Sequence, residues 1–152
     1  MILQTFSGRV VALVAAWCVS LSPAAQAELP LVELGAGMYR IEAELAHTDQ
    51  ARQIGLMKRP SMPMQRGMVF VFTEEARHCM WMKNTLIPLS VAFLDREGRI
   101  LNIADMKPQT EDSHCAAAPA RYALEMNRGW FAGRGIAPGD RIRGVERLPG
   151  GR

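Results

Sequence analysis

The sequence predicts a small α+β or mainly β domain, a compact antiparallel barrel or curled sheet of six to seven strands with one packed helix. Apolar and polar side chains alternate over Tyr39–Leu45, which is typical of a strand with one solvated face. The stretch Gly67–Phe72 is continuously apolar, as in a central strand covered on both faces. Thr48 and Asp49 begin the one clear helical segment, because they supply an N-cap and an acidic first turn.

The other elements follow from turn residues and short apolar runs. The helix should run from Asp49 to about Met57 and stop before Pro60. Asp95–Gly98 is a strong turn signal that predicts a hairpin between Val91–Leu94 and Arg99–Asp105. The remaining expectations are a short strand over 78–82, a long loop over 107–120, a strand over 122–126, a helical turn over 129–135 and a last strand over 141–147.

The N-terminus predicts export. Val10–Leu21 is an apolar run of about 12 residues, too short for a bilayer span of roughly 20. The run leads into Ala25-Gln26-Ala27, the small-x-small pattern of a signal peptidase site. We therefore expect residues 1–27 to be a cleaved signal peptide, 28–37 a leader segment, 38–148 a single globular domain and 149–152 a frayed tail. The mature chain should be periplasmic or extracellular, with no membrane span; a retained anchor is the alternative.

Composition excludes several classes of protein. Hydrophobic residues make up 49% of the 152 residues and charged residues 22%, which argues against a disordered chain, a coiled coil or a collagen-like fibre. The 18 Lys and Arg exceed the 15 Asp and Glu by a formal charge of only +3, and the basic residues are scattered. Nucleic acid is therefore not predicted as a partner.

Two of the three cysteines, Cys79 and Cys115, lie outside the predicted signal. In an oxidising compartment an even pair is most simply a disulfide, which would close a loop of about 37 residues and stabilise the fold by about 4 kcal/mol. Two free thiols, or a metal or redox pair, are the alternatives. The sequence contains no C-x-x-C motif, which argues against a thioredoxin-like catalyst.

Four sequence pieces together resemble the family called domain of unknown function 192. They are Gly55-Leu56-Met57 followed by Arg59, then 67–72, Trp81-Met82-Lys83-Asn84-Thr85-Leu86-Ile87-Pro88-Leu89 and Leu124-Glu125-Met126-Asn127-Arg128-Gly129. The resemblance implies an exported, strand-rich, barrel-like domain and supplies no activity. Members of that family usually carry Asp where this chain has Ser90, so a site that needs this carboxylate would be missing here.

The best candidate for a ligand site is the segment Trp81–Thr85. Trp81 offers a flat apolar face, Lys83 a cation, and Asn84 and Thr85 directional hydrogen bonds, a mixture that suits a small polar ligand, a glycan or an envelope partner. Glu125 and Asn127 are further candidates on the strand over 122–126. The alternative is a strand end and turn, with Trp81 in the core and Lys83 reaching out to water.

A second hypothesis is a site for Cu(I) as the cofactor. Soft thioether and imidazole ligands would come from His78, Met80 and Met82, which would share one face of a strand. Met62 and Met64 are possible additional ligands. Core packing explains the same methionines, since Met fills irregular gaps in interiors. A metal between His78 and His114, drawn together by the disulfide, is a related alternative.

Catalysis has weaker support in the sequence. No Gly-x-Ser-x-Gly motif occurs, and Asp112-Ser113-His114 are adjacent residues that fit a local turn better than a triad. Glu125 with Asp105 or Asp112 would form an acid–base pair, as in a glycoside hydrolase, if their strands adjoin. The sequence therefore favours a binding or accessory module over a hydrolase.

Overall fold

The computed structural model describes residues 28–152, so the predicted signal peptide lies outside the described residues. Nine strands, one α-helix and two 3-10 turns make up this part of the chain. The strands are β1 Leu31–Ala36, β2 Tyr39–Ala46, β3 Arg66–Ala76, β4 Cys79–Met80, β5 Leu89–Leu94, β6 Ile100–Met106, β7 His114–Cys115, β8 Ala120–Asn127 and β9 Ile142–Arg143. The helix α1 spans Asp49–Ile54, and the 3-10 turns span Ala132–Arg134 and Val145–Arg147.

Seven strands form a strongly curled half-barrel sheet in the order β6-β5-β8-β3-β2-β1-β9, as the predicted fold class requires. The two edges of this sheet meet at one end. There the amide of Ile100 donates to the carbonyl of Asp140, and the amide of Ile142 donates to the carbonyl of Gly98, each over 2.8 Å. The start of β6 is thereby paired, which shortens the exposed edge that could pair with another chain.

One neighbouring strand pair departs from the antiparallel prediction. β2 and β3 are parallel, with Ala43 opposite Gly67 and Leu45 opposite Val69. Parallel neighbours need a crossover connection, and α1 with the segment after it provides one. Thr48 caps this helix as predicted, its hydroxyl accepting a hydrogen bond from the amide of Ala51 over 3.2 Å. The helix ends at Ile54, earlier than predicted.

The sheet separates two apolar clusters, one on each face. The first core packs under the 3-10 turns and includes Leu34, Ile41, Leu124, Trp130 and Phe131. The second core includes Leu56, Phe70, Met82, Leu89 and Phe93. Because β3 and β5 contribute alternate residues to both clusters, every residue over 67–72 and 89–94 is buried, which confirms the interpretation of 67–72 as a central strand.

Three pieces of chain cover the second core. They are α1, the segment 55–65 that follows it, and a two-stranded ribbon of β4 and β7. In this ribbon Cys79 lies opposite Cys115 and the two form a disulfide, as predicted. The side-chain amide of Asn102 on β6 holds the ribbon, donating to the Cys115 carbonyl over 3.1 Å and accepting from the Ala117 amide over 2.9 Å.

Both ends of the described chain are more ordered than predicted. The segment expected to be an irregular leader contains β1, whose Leu34 lies opposite Ile41 of β2. The C-terminal tail contacts the rest of the domain, since the amide of Arg152 donates to the carbonyl of His47 over 2.8 Å. The last strand is shorter than expected, since Gly144 turns the chain out of β9 with φ 98°. Among residues 28–152 no helix is long and apolar enough to span a membrane.

Candidate functional site

The segment Trp81–Thr85 forms a loop between β4 and β5 whose backbone is anchored at several points. The amide of Met82 donates to the carbonyl of Thr110 over 3.1 Å, and the side chain of Met82 is completely buried in the second core. The amide of Thr85 donates to the Met82 carbonyl, and the Thr85 carbonyl accepts from the Gln109 amide over 3.1 Å. The loop is therefore held in one conformation by the core and by residues 109–110.

Three side chains stand on the outer surface of this loop, and we call them the Trp81 platform: Trp81, Lys83 and Glu111. The indole of Trp81 is 49% exposed. The ammonium of Lys83 lies 5.4 Å from the centre of that ring and 3.1 Å from a carboxylate oxygen of Glu111. An exposed aromatic face thus has a cation and an anion beside it. The alternative in which Trp81 fills the core does not hold, because Trp81 is half exposed.

Asn84 and Thr85 contribute mainly to the turn. Asn84 has φ 60°, a left-handed conformation that Asn tolerates better than most residues, and its carbonyl accepts a hydrogen bond from the amide of Lys58 over 2.8 Å. Thr85 is buried. Asn84, in contrast, is exposed to solvent, as are Trp81 and Lys83.

Glu125 is a buried carboxyl in the middle of the sheet. It lies on β8 between Met68 of β3 and Val91 of β5, and only 4% of its surface is exposed. Among residues 28–152 no side chain or amide forms a hydrogen bond to its carboxyl group. Burial raises the pKa of Glu125 to about 8, because the charged form loses its hydration without gaining a partner. The carboxyl is therefore mostly protonated at pH 7.

Asn127 stabilises the cover of the second core. Its side-chain amide nitrogen donates to the carbonyls of Met62 and Pro63 over 3.0 and 3.1 Å. These bonds tie the end of β8 to the segment 55–65. Asn127 thus has structural partners, whereas Glu125, two residues earlier on the same face of the strand, has none in the described chain.

The strand register argues against the acid–base alternative that pairs Glu125 with Asp105, and the pairing with Asp112 stays a prediction. Glu125 lies opposite Val91, whereas Asp105 lies opposite Ser90, the preceding residue of β5. Because successive residues of a strand point to opposite faces, the two carboxyl groups lie on opposite sides of the sheet. Asp105 instead accepts the hydroxyl of Ser90 over 2.5 Å, and this hydroxyl in turn accepts the amide of Gly129 over 2.9 Å.

The residues of the Cu(I) hypothesis do not continue one strand. β4 includes Met80 but ends there, so the alternation that would align Met80 with Met82 is interrupted, and Met82 is buried. The ring of His78 stacks on Phe72 with centroids 3.7 Å apart, and its Nε2 lies 2.9 Å from the carbonyl of Glu74. Residues 28–152 contain no group of three or more His, Cys, Asp or Glu that could hold a metal. Copper binding stays a prediction.

Two features of this region have no local signal in the sequence. Glu111 reaches Lys83 from the loop before β7, far along the chain. Glu44, expected on a solvated face, is buried, and the guanidinium of Arg59 donates to both of its carboxylate oxygens over 2.5 Å. Both pairs depend on how separate loops fold over the sheet.

Comparison with known proteins places the chain in a family. The model of the domain of unknown function 192 family (DUF192, Uncharacterized ACR) matches residues 32–144. A crystal structure of a protein of unknown function from Novosphingobium aromaticivorans DSM 12444 is 34% identical, with a TM-score of 0.73 over 76% of this chain and 86% of that one.

A second crystal structure, from Sinorhizobium meliloti 1021, is described as that of a candidate transcription regulator. It is 32% identical, with a TM-score of 0.73 over 80% of this chain and 99% of that one. No curated protein matches the chain. The two solved structures share the fold described above, and the match of the family model shows that the chain belongs to the DUF192 family.

Proposed function

We propose that the chain is an exported binding module that recognises a glycan through the Trp81 platform. The observation that carries this proposal is the half-exposed indole of Trp81, held on an anchored loop with Lys83 and Glu111 beside it. A fixed aromatic side chain loses little conformational entropy when a ligand binds to it, so it contributes more of its contact energy to affinity.

The chemistry of the platform suits a sugar. One side of a pyranose ring presents C–H groups that pack on an indole face, and its rim presents hydroxyls that donate and accept hydrogen bonds. The ammonium of Lys83 can donate hydrogen bonds to sugar hydroxyls, and the carboxylate of Glu111 can accept hydrogen bonds from them. The ion pair of Lys83 and Glu111 is exposed, and a ligand can therefore replace it at little cost.

The proposal is tested by titrating the purified chain with N-acetylglucosamine oligosaccharides and with soluble peptidoglycan fragments. We expect saturable binding to at least one probe, with a change in tryptophan fluorescence, because Trp81 is exposed and Trp130 is buried. Trp81→Ala should weaken binding at least about tenfold, as loss of an aromatic contact residue does. Leu86→Ala is the matched control, since Leu86 is 45% exposed on the same loop.

Variants of the polar residues separate binding from folding. Lys83→Ala should weaken binding and leave the melting temperature unchanged, because the ion pair of Lys83 with Glu111 is exposed. Asn84→Gly removes the side-chain amide but keeps a residue that accepts φ 60°, whereas alanine there would add strain. The proposal fails if no glycan probe binds, or if Trp81→Ala binds as tightly as Leu86→Ala.

A further inference from the structure

A concave surface of about 420 Å³ lies where β1, β2 and β9 adjoin, and four arginines line it. We call it the arginine groove. Its charged side chains are Arg40, Arg141, Arg143, Arg147, Glu33 and Glu146. Four guanidinium groups against two carboxylates leave an excess of two positive charges in one cavity. The volume falls within the range of about 300–1,000 Å³ that is typical of pockets for small ligands.

A glycine shapes the floor of the groove. Gly35 of β1 lies opposite Arg40 of β2 on one side and opposite Arg143 of β9 on the other. Residues directly opposite each other share a face of the sheet, so both arginines rise on either side of a residue without a side chain. A Cβ at position 35 would lie 2.9 Å from the guanidinium of Arg143. The absence of that atom allows the guanidinium to lie over the strand.

The acidic residues neutralise only part of this charge. Arg40 is paired with Glu33 over 2.8 Å. Arg147 lies 3.5 Å from Glu146, whose pKa is held below its ordinary value by hydrogen bonds from backbone amides and by nearby arginines. Arg143 donates to the carbonyl of Gly37 over 2.7 Å, and Arg141 has no hydrogen-bond or ion-pair partner within residues 28–152. Two cations in the groove thus lack a carboxylate partner.

We propose that the arginine groove binds a phosphate monoester. Such a group carries a charge of about −1.5 to −2 at pH 7, which matches the excess charge of the lining. Its oxygens accept the paired N–H donors of guanidinium groups, and arginine recognises phosphate better than lysine for this reason. The ring of Tyr39 and the exposed side chain of Met38 also line the groove and offer an apolar contact to the organic part of the ligand.

Phosphate monoesters reach such a site from two sources, soluble metabolites and lipid headgroups. Inorganic phosphate and phenyl phosphate probe the first source by calorimetry. Phosphatidylcholine vesicles with and without phosphatidic acid probe the second by co-sedimentation. We expect phenyl phosphate to bind more tightly than inorganic phosphate if the source is soluble. Binding only to vesicles that contain phosphatidic acid would identify the headgroup as the ligand.

Arg141→Ala should weaken whichever of these interactions occurs by at least about tenfold, because a charge-assisted contact to phosphate is lost. Arg77→Ala is the matched control: Arg77 is also exposed, lies outside the groove and carries the same charge. Equal weakening by both substitutions would overturn the proposal, since only the net charge would then matter. Failure of every phosphate probe, or tighter binding of a DNA duplex than of phenyl phosphate, would also overturn it.

Discussion

The buried carboxyl of Glu125 should make the stability of this domain decrease as pH rises. The pKa of this group is about 8 in the folded chain, against an ordinary value of 4.5. Below pH 4.5 both the folded and the unfolded chain hold the proton, so the ionisation of this group does not change the free energy of unfolding there. Between pH 4.5 and 8 the unfolded chain releases the proton while the folded chain keeps it, and the free energy of unfolding falls.

The size of the effect follows from the two pKa values. Each pH unit within this window lowers the free energy of unfolding by about 1.4 kcal/mol, and the whole window corresponds to about 5 kcal/mol. The loss levels off above pH 8, where both states are ionised. Because the side chain is only 4% exposed, little solvent screening reduces this figure.

Glu125→Gln isolates the contribution, since glutamine has the same shape and does not ionise. Urea unfolding of both proteins from pH 4 to 8.5 gives the difference in their free energies of unfolding at each pH. We expect a constant difference below pH 4.5 and a growing advantage of the variant up to pH 8. Glu74→Gln, at an exposed position, should show no comparable pH dependence. A flat difference for Glu125→Gln would mean that the carboxyl is hydrated or paired, and would refute the reasoning.

Two further tests concern the packing of the sheet and its cover. Replacing Cys79 and Cys115 by serine should lower the free energy of unfolding, measured by urea unfolding, by about 4 kcal/mol. Reduction of the disulfide in the unmodified protein should give a similar loss. An unchanged free energy of unfolding would contradict the stabilising role of the disulfide. Gly67→Ala should cost at least about 1–3 kcal/mol, because its Cβ would lie 2.6 Å from the carbonyl oxygen of Glu125. Gly133→Ala is the control, since a Cβ there meets nothing within 4 Å; equal melting temperatures for the two variants would refute the close packing at Gly67.

Elements with a local chemical signal could be predicted from the sequence. The hairpin of β5 and β6 is an example, because its turn is built from its own residues. The carboxylate of Asp95 accepts the amides of Glu97 and Arg99 over 2.9 and 2.8 Å, and Gly98 takes φ 81°. Such bonds join residues within a few positions of each other, so the amino-acid types alone indicate them.

Elements that depend on distant partners were missed. β1 follows Pro30 and contains Gly35, so its own residues resemble a leader, yet pairing with β2 and β9 makes it a strand. The C-terminal tail similarly docks through a distant contact, the side chain of Arg52 donating to the carbonyl of Arg152 over 3.1 Å. Contacts between segments that are far apart in the sequence do not produce a pattern of apolar and polar residues in either segment, so the sequence of one segment does not predict them.

The candidate site also combines residues that are close together in the sequence with residues that only the fold brings together. The sequence motif brings Trp81 and Lys83 together because they are two residues apart, but Glu111, the anion beside them, comes from elsewhere in the chain. The sequence around Glu125 predicts a strand, but it does not predict whether Glu125 is exposed to solvent. That depends on which other segments cover this face of the strand. Here the ribbon, α1 and the segment 55–65 cover that face, and their arrangement is tertiary.

The cover of the second core affects both the conformation of the Trp81 platform and the burial of the Glu125 carboxyl. The disulfide fixes the ribbon, and Trp81 follows β4 directly, so the conformation of the Trp81 platform depends on the same contacts that exclude water from the second core. Asn127 fastens the other part of the cover by its bonds to Met62 and Pro63. Glu125 is buried on the face of the sheet that this cover lies on, and ionisation of its carboxyl as pH rises opposes that burial. The disulfide and the hydrogen bonds of Asn127 therefore add to the apolar packing that holds the cover on the second core.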